Sequence, residues 1–311
     1  MLQIGEIQVP IPVIQGGMAV KISTGRLAGA VAREGGIGVV AGTGMTPDEL
    51  RQEISLAREI SQGMGALGVN VLFAASAFAE LVKTALNAGI DLVISGAGIS
   101  RDIYTWGKEA STPVVPIVST ARLAVMAEKM GAAAVIVEGK EAGGHLGTDR
   151  PMKDILMEVL ATVKIPVIGA GGIMDGADVR EVLDKGAQGV QMGTRFAASF
   201  ESNASPELKE LYVKASVPDV VLVDSPVGLQ GRGLRNSFYM LVEGDRLLDI
   251  EECVGCLKRC SQRFCIMNAL HNAIPGGDFS RALAFSGERI DKIKDILSVK
   301  EIFDDIRLAL A

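Results

Sequence analysis

Short apolar runs alternate with segments of helical spacing along the first 200 residues of the chain. Eight of these runs have the length of buried parallel strands, which read as continuous apolar stretches because both of their faces are covered. The predicted strands are residues 13–15, 37–40, 68–71, 92–95, 114–118, 134–137, 167–169 and 189–192. Eight strands alternating with helices predict an α/β fold, either a (β/α)8 TIM barrel or a doubly wound open sheet.

Helix signals lie between these runs. Thr46 precedes Pro47, which is the pattern of an N-cap followed by proline at the first helical position. Lys185 and Gly186 end a later helix with a C-terminal charge and a glycine stop. The sequence QGGM at 15–18 does not match the glycine-rich dinucleotide fingerprint, and the count of eight strands favours the barrel.

The alternation stops after the eighth predicted strand. Residues 205–298 are predicted to form a helical insertion that contains all four cysteines. Residues 299–310 then carry Ile302, Ile306 and Leu310 on one side, as expected for the eighth barrel helix. We therefore expect a barrel domain of residues 1–204 plus 299–311, with the insertion packed on it because no low-complexity linker separates the two.

Composition and charge indicate a folded protein without a basic binding surface. Apolar residues make up 48% and charged residues 22%, which excludes wholesale disorder, while aromatic residues are sparse at 4%. The 31 basic and 37 acidic residues give a net charge of −6, so no basic excess marks a surface for nucleic acid or an anionic membrane. The first residues lack the basic start of a secretory signal. We expect a cytoplasmic protein with neither a nucleic-acid nor a membrane partner.

Two glycine-rich turns are predicted to bind phosphate. In TIM barrels the active site lies at the carboxyl ends of the strands, and the loops after strands seven and eight commonly hold phosphate. Here those loops contain Gly171 and Gly172 after strand seven, and Gly193 and Thr194 after strand eight. Glycines allow backbone N–H groups to converge on an anion, and the Thr194 hydroxyl adds a donor. The alternative is that both turns are structural only.

His145 is the candidate for proton transfer. It lies on the glycine-rich loop after strand six, at the functional face of the predicted barrel, and histidine titrates near neutral pH. The alternative is a structural hydrogen bond from a loop histidine. His271, the other histidine, falls in a helical pattern of the insertion, where a structural role is expected.

The four cysteines form a candidate metal site. Their spacing is Cys253-x2-Cys256-x3-Cys260-x4-Cys265, and four thiols this close are a ligand set for an iron–sulfur cluster or for zinc. The spacings among the first three cysteines resemble the iron–sulfur motif of flavin barrel enzymes such as dienoyl-CoA reductases, in which the fourth cysteine lies further on than Cys265 does here. The alternative is four reduced thiols.

Five motifs in order carry a family resemblance. They are QGGM (15–18), GVNV (68–71), EAGGH (141–145), IGAGGI (168–173) and GVQMGTRF (189–196). Together they resemble the FMN-dependent nitronate monooxygenases, formerly called 2-nitropropane dioxygenases, and equally the FMN-dependent enoyl-acyl-carrier-protein reductases. The resemblance covers residues 1 to about 240 and includes GRGLRN at 231–236.

The resemblance implies an FMN at the barrel mouth. It places Gly17, Met18 and Gly144 against the cofactor, Asn70 at the polar edge of the ring, and His145 as the catalytic histidine. It also assigns the phosphate to the residues Gly171, Gly172, Gly193 and Thr194, with Gln191 nearby. Ser119 joins the cofactor-binding set, and its motif, PIVST, looks more like that of the reductases.

The resemblance leaves two activities open. The first is oxidation of alkyl nitronates with O2, and the second is reduction of an enoyl-ACP or another activated alkene by NAD(P)H or a protein electron donor. A non-redox barrel enzyme acting on a phosphorylated metabolite is a further alternative, for which Glu138 stands at a strand end. The expected partner is a small-molecule or acyl-carrier-bound substrate, and a homodimer stays open.

Overall fold

The computed structural model describes residues 1–96, 98–244, 247–248, 250 and 252–311, and at its centre eight parallel strands close into a barrel. In chain order the strands are β1 (Leu2–Ile4), β2 (Ile7–Val9), β3 (Val13–Gln15), β4 (Ile37–Ala41), β5 (Ala66–Leu72), β6 (Leu92–Gly96), β7 (Val114–Val118), β8 (Val135–Glu138), β9 (Gly144–His145), β10 (Val167–Ala170), β11 (Gly189–Met192), β12 (Val220–Asp224) and β13 (Gln230–Leu234). Around the barrel the order is β3 to β8, then β10 and β11, and β11 pairs with β3. This closing pair confirms the TIM barrel and excludes the open sheet.

Helices cover the outside of the barrel and continue into the segment after it. They are α1 (Gly25–Arg33), α2 (Pro47–Ser61), α3 (Phe78–Asn87), α4 (Asp102–Glu109), α5 (Ala121–Lys129), α6 (Met152–Leu160), α7 (Gly176–Asp184), α8 (Thr194–Ala197), α9 (Pro206–Lys214), α10 (Ser237–Val242), α11 (Ile266–His271) and α12 (Val299–Leu310). α12 packs against α1 and α7, so it is the predicted eighth barrel helix. Within the described residues, no helix has both the length and the apolar character needed to cross a membrane.

Local sequence explains where these helices begin. The predicted N-cap of α2 is confirmed, since Thr46 Oγ1 accepts the Glu49 N–H at 3.2 Å and the Glu49 carboxylate accepts the Thr46 N–H at 2.8 Å. Ser298 and Glu301 form the same reciprocal cap on α12. Such caps satisfy N–H groups that the first helical turn leaves unpaired.

A hairpin of β1 and β2 closes the floor of the barrel. Leu2, Ile4 and Val9 are fully buried and belong to the same apolar cluster as the inward-facing residues of the barrel strands. The hairpin was not predicted from the sequence. Because it seals the amino ends of the strands, the barrel is accessible at their carboxyl ends.

Residues 205–298 pack on this open end. Leu208, Ala273 and Ile290 share an apolar cluster with Met174 and Ala197, which follow β10 and β11. The prediction of a helical insertion needs correction, because β12 and β13 pair antiparallel and extend onto β9 as a three-stranded sheet. The division of the chain into two domains at 204 and 299 stays a prediction.

Candidate active site

A cavity opens at the carboxyl ends of the barrel strands. Its walls contain ten of the predicted site residues, namely Gly17, Met18, Asn70, Gly144, His145, Gly171, Gly172, Gln191, Gly193 and Thr194. Among the described residues that line the cavity, Ser119 is not found. It follows β7 and lies against Gly147, where an added Cβ would come within 3.1 Å of the Ser119 Oγ. Its role at the cofactor therefore stays a prediction.

The turns after β10 and β11 are suited to an anion. Gly171 and Gly172 have φ values of +109° and +72°, and residues other than glycine rarely adopt this backbone conformation. Among the described residues, the N–H groups of Gly172 and Gly193 have no acceptor. Thr194 Oγ1 accepts the Gly287 N–H at 2.9 Å, which leaves its own hydroxyl hydrogen to donate. Unpaired backbone N–H groups at the wall of a cavity offer hydrogen bonds to an anion.

Polar side chains also line the cavity. Gln191 Oε1 is buried and has no hydrogen-bond partner in the described chain. Asn70, which is partly buried, lines the same cavity. At Gly193 an added Cβ would meet nothing closer than Met18 Sδ at 3.9 Å, and at Gly144 nothing closer than Phe285 at 3.8 Å. A site with open backbone walls and free polar groups at its edge fits a flat, polar-edged and phosphorylated cofactor such as FMN.

His145 is held by the segment after the barrel. Its strand β9 pairs with β13, and its Nε2 lies in a hydrogen bond 2.8 Å from Ser225 Oγ. The ring also stands edge-on to Phe285, with centroids 5.2 Å apart. Burial lowers the pKa of His145 to about 4, because the surrounding apolar groups disfavour the charged ring. The imidazole is therefore neutral at pH 7.

Glu138 ends β8 and lines the same cavity. Burial raises the pKa of Glu138 to about 8, so its carboxyl group is protonated at neutral pH. Within the described chain no cation or hydrogen-bond donor lies against this carboxyl. The cavity therefore combines a neutral imidazole with a neutral carboxylic acid, and their pKa values are shifted in opposite directions, which is common at catalytic sites.

One wall of the cavity is apolar and comes largely from the inserted segment. Its residues are Val20, Leu72, Val227, Leu257, Ile266, Met267, Leu270, Leu283 and Phe285. Backbone hydrogen bonds fix part of this wall to the barrel, since Lys258 N donates to Ala74 O at 2.9 Å and Ser76 N donates to Cys256 O at 3.0 Å. The wall suits the hydrocarbon part of a substrate.

The predicted metal site is not supported. All four cysteines are free thiols; Cys253 and Cys260 are exposed, and Cys256 and Cys265 are partly buried. Across the described part of the chain, no three His, Cys, Asp or Glu side chains are arranged to hold a metal ion. Burial and the charges of Cys265, Cys260 and Cys253 raise the pKa of the Cys256 thiol, so the four cysteines lie near one another without forming such a ligand set. The assignment of these cysteines to an iron–sulfur cluster or to zinc therefore stays a prediction.

Sequence comparison identifies relatives of known family. The model of the family described as nitronate monooxygenase matches residues 2–88 and 66–308. A Mycobacterium tuberculosis protein, named (3aS,4S,5R,7aS)-5-hydroxy-7a-methyl-1-oxo-octahydro-1H-indene-4-carboxyl-CoA dehydrogenase, is 31% identical over 75% of this chain. The match spans 65% of that relative's own length. A probable nitronate monooxygenase of Staphylococcus aureus is 29% identical, over 75% of this chain and 77% of that protein.

Solved structures resemble the chain over nearly its full length. FabK from Thermotoga maritima is 35% identical with a TM-score of 0.86, over 97% of this chain and 93% of that one. A nitroalkane oxidase from Streptomyces ansochromogenes is 25% identical with a TM-score of 0.80, over 97% of both chains. Both likenesses include the barrel and the segment that follows it.

Proposed function

Because the chain belongs to the nitronate monooxygenase family, we propose that it is an FMN-dependent oxidoreductase that oxidises alkyl nitronates with O2. One observation carries the proposal: ten of the residues that motif resemblance assigns to flavin and catalysis line one cavity. His145, the proposed proton-transfer residue, is among them.

One group of cavity residues would bind the phosphate of FMN, and another would bind its ring. Unpaired N–H groups at Gly172 and Gly193 would take the phosphate, together with the Thr194 hydroxyl. Asn70 and Gln191 would meet the polar edge of the ring with their side-chain amides, of which Gln191 Oε1 has no partner in the described chain. Bound FMN supplies the electron chemistry, and the protein supplies position and protons.

His145 is suited to an anionic substrate. In the tautomer whose Nε2–H donates to Ser225, Nδ1 keeps its lone pair and can accept a proton. Burial makes the free ring a weak base, with a pKa of about 4. A nitronate bound beside the ring raises that pKa, because an opposite charge favours the imidazolium form. Occupation of the site by the anion would thereby favour uptake of a proton from solvent at His145, and the imidazolium would pair with the nitronate.

A second activity is favoured by the apolar wall. Leu257, Ile266 and Met267 extend the cavity beyond what the polar groups require, and they suit the hydrocarbon chain of an acyl substrate. This favours reduction of an activated alkene, such as an enoyl group on an acyl carrier, with NAD(P)H as the donor. Glu138 would then stand in the cavity as a protonated acid.

An anaerobic absorbance titration of the FMN-loaded protein tests both activities. Bleaching of the flavin band by an alkyl nitronate, followed by reoxidation with O2, is expected for the monooxygenase. Bleaching by NADH or NADPH, with turnover of an enoyl thioester, supports the reductase instead. A purified protein that is colourless and takes up no FMN contradicts both.

A further inference from the structure

A network of ion pairs ties the end of the inserted segment to the turn after β10. Arg289 Nη1 donates to Gly172 O and to Asp178 Oδ1, both at 2.8 Å. Lys292 Nζ donates to the same Asp178 oxygen at 2.9 Å and to Asp175 Oδ2 at 2.7 Å. Two cations and two carboxylates balance in charge, so the network acts through geometry more than through a net field.

Asp178 is the centre of this network. It is buried, and its second oxygen accepts the Met174 N–H at 3.0 Å. Burial works against its charge, but hydrogen bonds from Lys292, the Met174 N–H and Arg289 outweigh burial and hold its pKa below the ordinary value. The ionised carboxylate therefore holds the turn at two points. It accepts the Met174 N–H directly, and it binds Arg289, which donates to Gly172 O.

Arg289 sets the orientation of a peptide group in the predicted phosphate turn. The peptide bond is planar and trans, so a Gly172 carbonyl aimed at Arg289 turns the Ile173 N–H away from it. In the described chain neither the Gly172 nor the Ile173 N–H has an acceptor, and both residues line the cavity. The Arg289 stem lies against this turn, since a Cβ added at Gly172 would come within 3.3 Å of Arg289 Cδ.

The same segment reaches the second phosphate turn. Gly287 N donates to Thr194 Oγ1 at 2.9 Å, and Glu288 N donates to Glu141 O at 3.0 Å. Residues 287–289 therefore contact the turns after both β10 and β11. None of these residues lies in a motif that carried the family resemblance.

We propose that Arg289 is a positioning residue for the phosphate site and makes the site select FMN over riboflavin. It holds the Gly172–Ile173 peptide so that its N–H is free for a phosphomonoester. The inference rests on the proposed function, in that FMN is taken as the ligand.

The test is fluorescence titration of flavin-free wild type and Arg289→Met with FMN and with riboflavin. Loss of the charged hydrogen bond to Gly172 is expected to weaken FMN binding by about 10- to 100-fold, while the Kd for riboflavin changes by less than about threefold. Lys292→Met is the matched control, because Lys292 shares Asp178 but does not touch Gly172. Its Kd for FMN is expected to stay within about threefold of wild type.

If wild type binds FMN, any one of three results overturns the inference. These are an unchanged Kd for FMN in Arg289→Met, an equal loss of affinity for FMN and riboflavin in Arg289→Met, and a loss of FMN affinity in Lys292→Met as large as that in Arg289→Met. If Arg289→Met does not fold, Arg289→Gln carries the same test, because its shorter and uncharged side chain removes the charged hydrogen bond to Gly172. Wild type that binds neither flavin overturns the proposed function and the inference with it.

Discussion

Raising the pH from 7 to 9 should destabilise the folded protein through the ionisation of Glu138. Burial raises its pKa to about 8, against a value of 4.5 for the solvated group. The folded protein thus binds this proton more tightly than the unfolded chain does. The resulting stabilisation is fully present below about pH 4.5 and is lost as the pH rises through 8. Between pH 7 and pH 9 the loss amounts to about 1.4 kcal/mol.

Urea unfolding of wild type and Glu138→Gln at both pH values isolates this contribution. The amide keeps the shape of the carboxylic acid but does not ionise, so the variant should lose about 1.4 kcal/mol less than wild type over this range. Other groups that titrate between pH 7 and 9 are common to both proteins and cancel in the difference. Glu181→Gln is the control: the hydrogen bond from Lys153 lowers the pKa of this carboxyl, so it stays ionised from pH 7 to 9 and its variant should keep the wild-type pH dependence. The same pH dependence in wild type and Glu138→Gln would refute the reasoning.

Three further changes separate catalysis, cofactor binding and stability. His145→Ala should retain FMN but lower turnover by about 10²- to 10⁴-fold if it transfers a proton in the limiting step; unchanged turnover, or an equal loss in the control His271→Ala, contradicts that role. Gly193→Val should fold normally, because a Cβ there meets nothing within 3.8 Å, but should lose FMN affinity in an equilibrium titration; intact affinity means that the phosphate lies elsewhere. Ser298→Ala removes the cap of α12 and should lower the free energy of unfolding by about 1 kcal/mol in urea, whereas exposed Lys300→Ala should change it by less than half as much.

Local pattern was sufficient for the barrel strands but not for its closure. Buried parallel strands read as apolar runs, and all eight predicted runs fall on barrel strands. Closure depends on β11 pairing with β3 across more than 170 residues of chain, and no local signal encodes that pairing. The β1–β2 hairpin was missed because it has only three residues in each strand, although Leu2 and Ile4 point inward and Gln3 outward.

In the inserted segment, too, the sequence does not predict the strands that the structure contains. Val221 and Val223 are buried while Leu222 is exposed, which is the alternation of a half-buried strand. The residues Val220 to Val223 are all apolar, so the sequence alone does not display that alternation. Four cysteines within 13 residues suggest a metal site, but among the described residues no three side chains of the metal-binding types are arranged to hold an ion.

The candidate site was predictable where a rule linked sequence order to position in space. The phosphate turns follow from the strand count, since consecutive strands seven and eight end side by side in a closed barrel. The rule does not predict the side chains that hold the histidine and the phosphate turn. Ser225 contacts His145, which is 80 positions away in the sequence, and Arg289 contacts Gly172, which is 117 positions away. Both belong to the segment that follows the barrel. Cofactor binding and proton transfer should therefore depend on the fold of this segment, and substitutions in it should affect FMN affinity and turnover without altering any residue of the barrel.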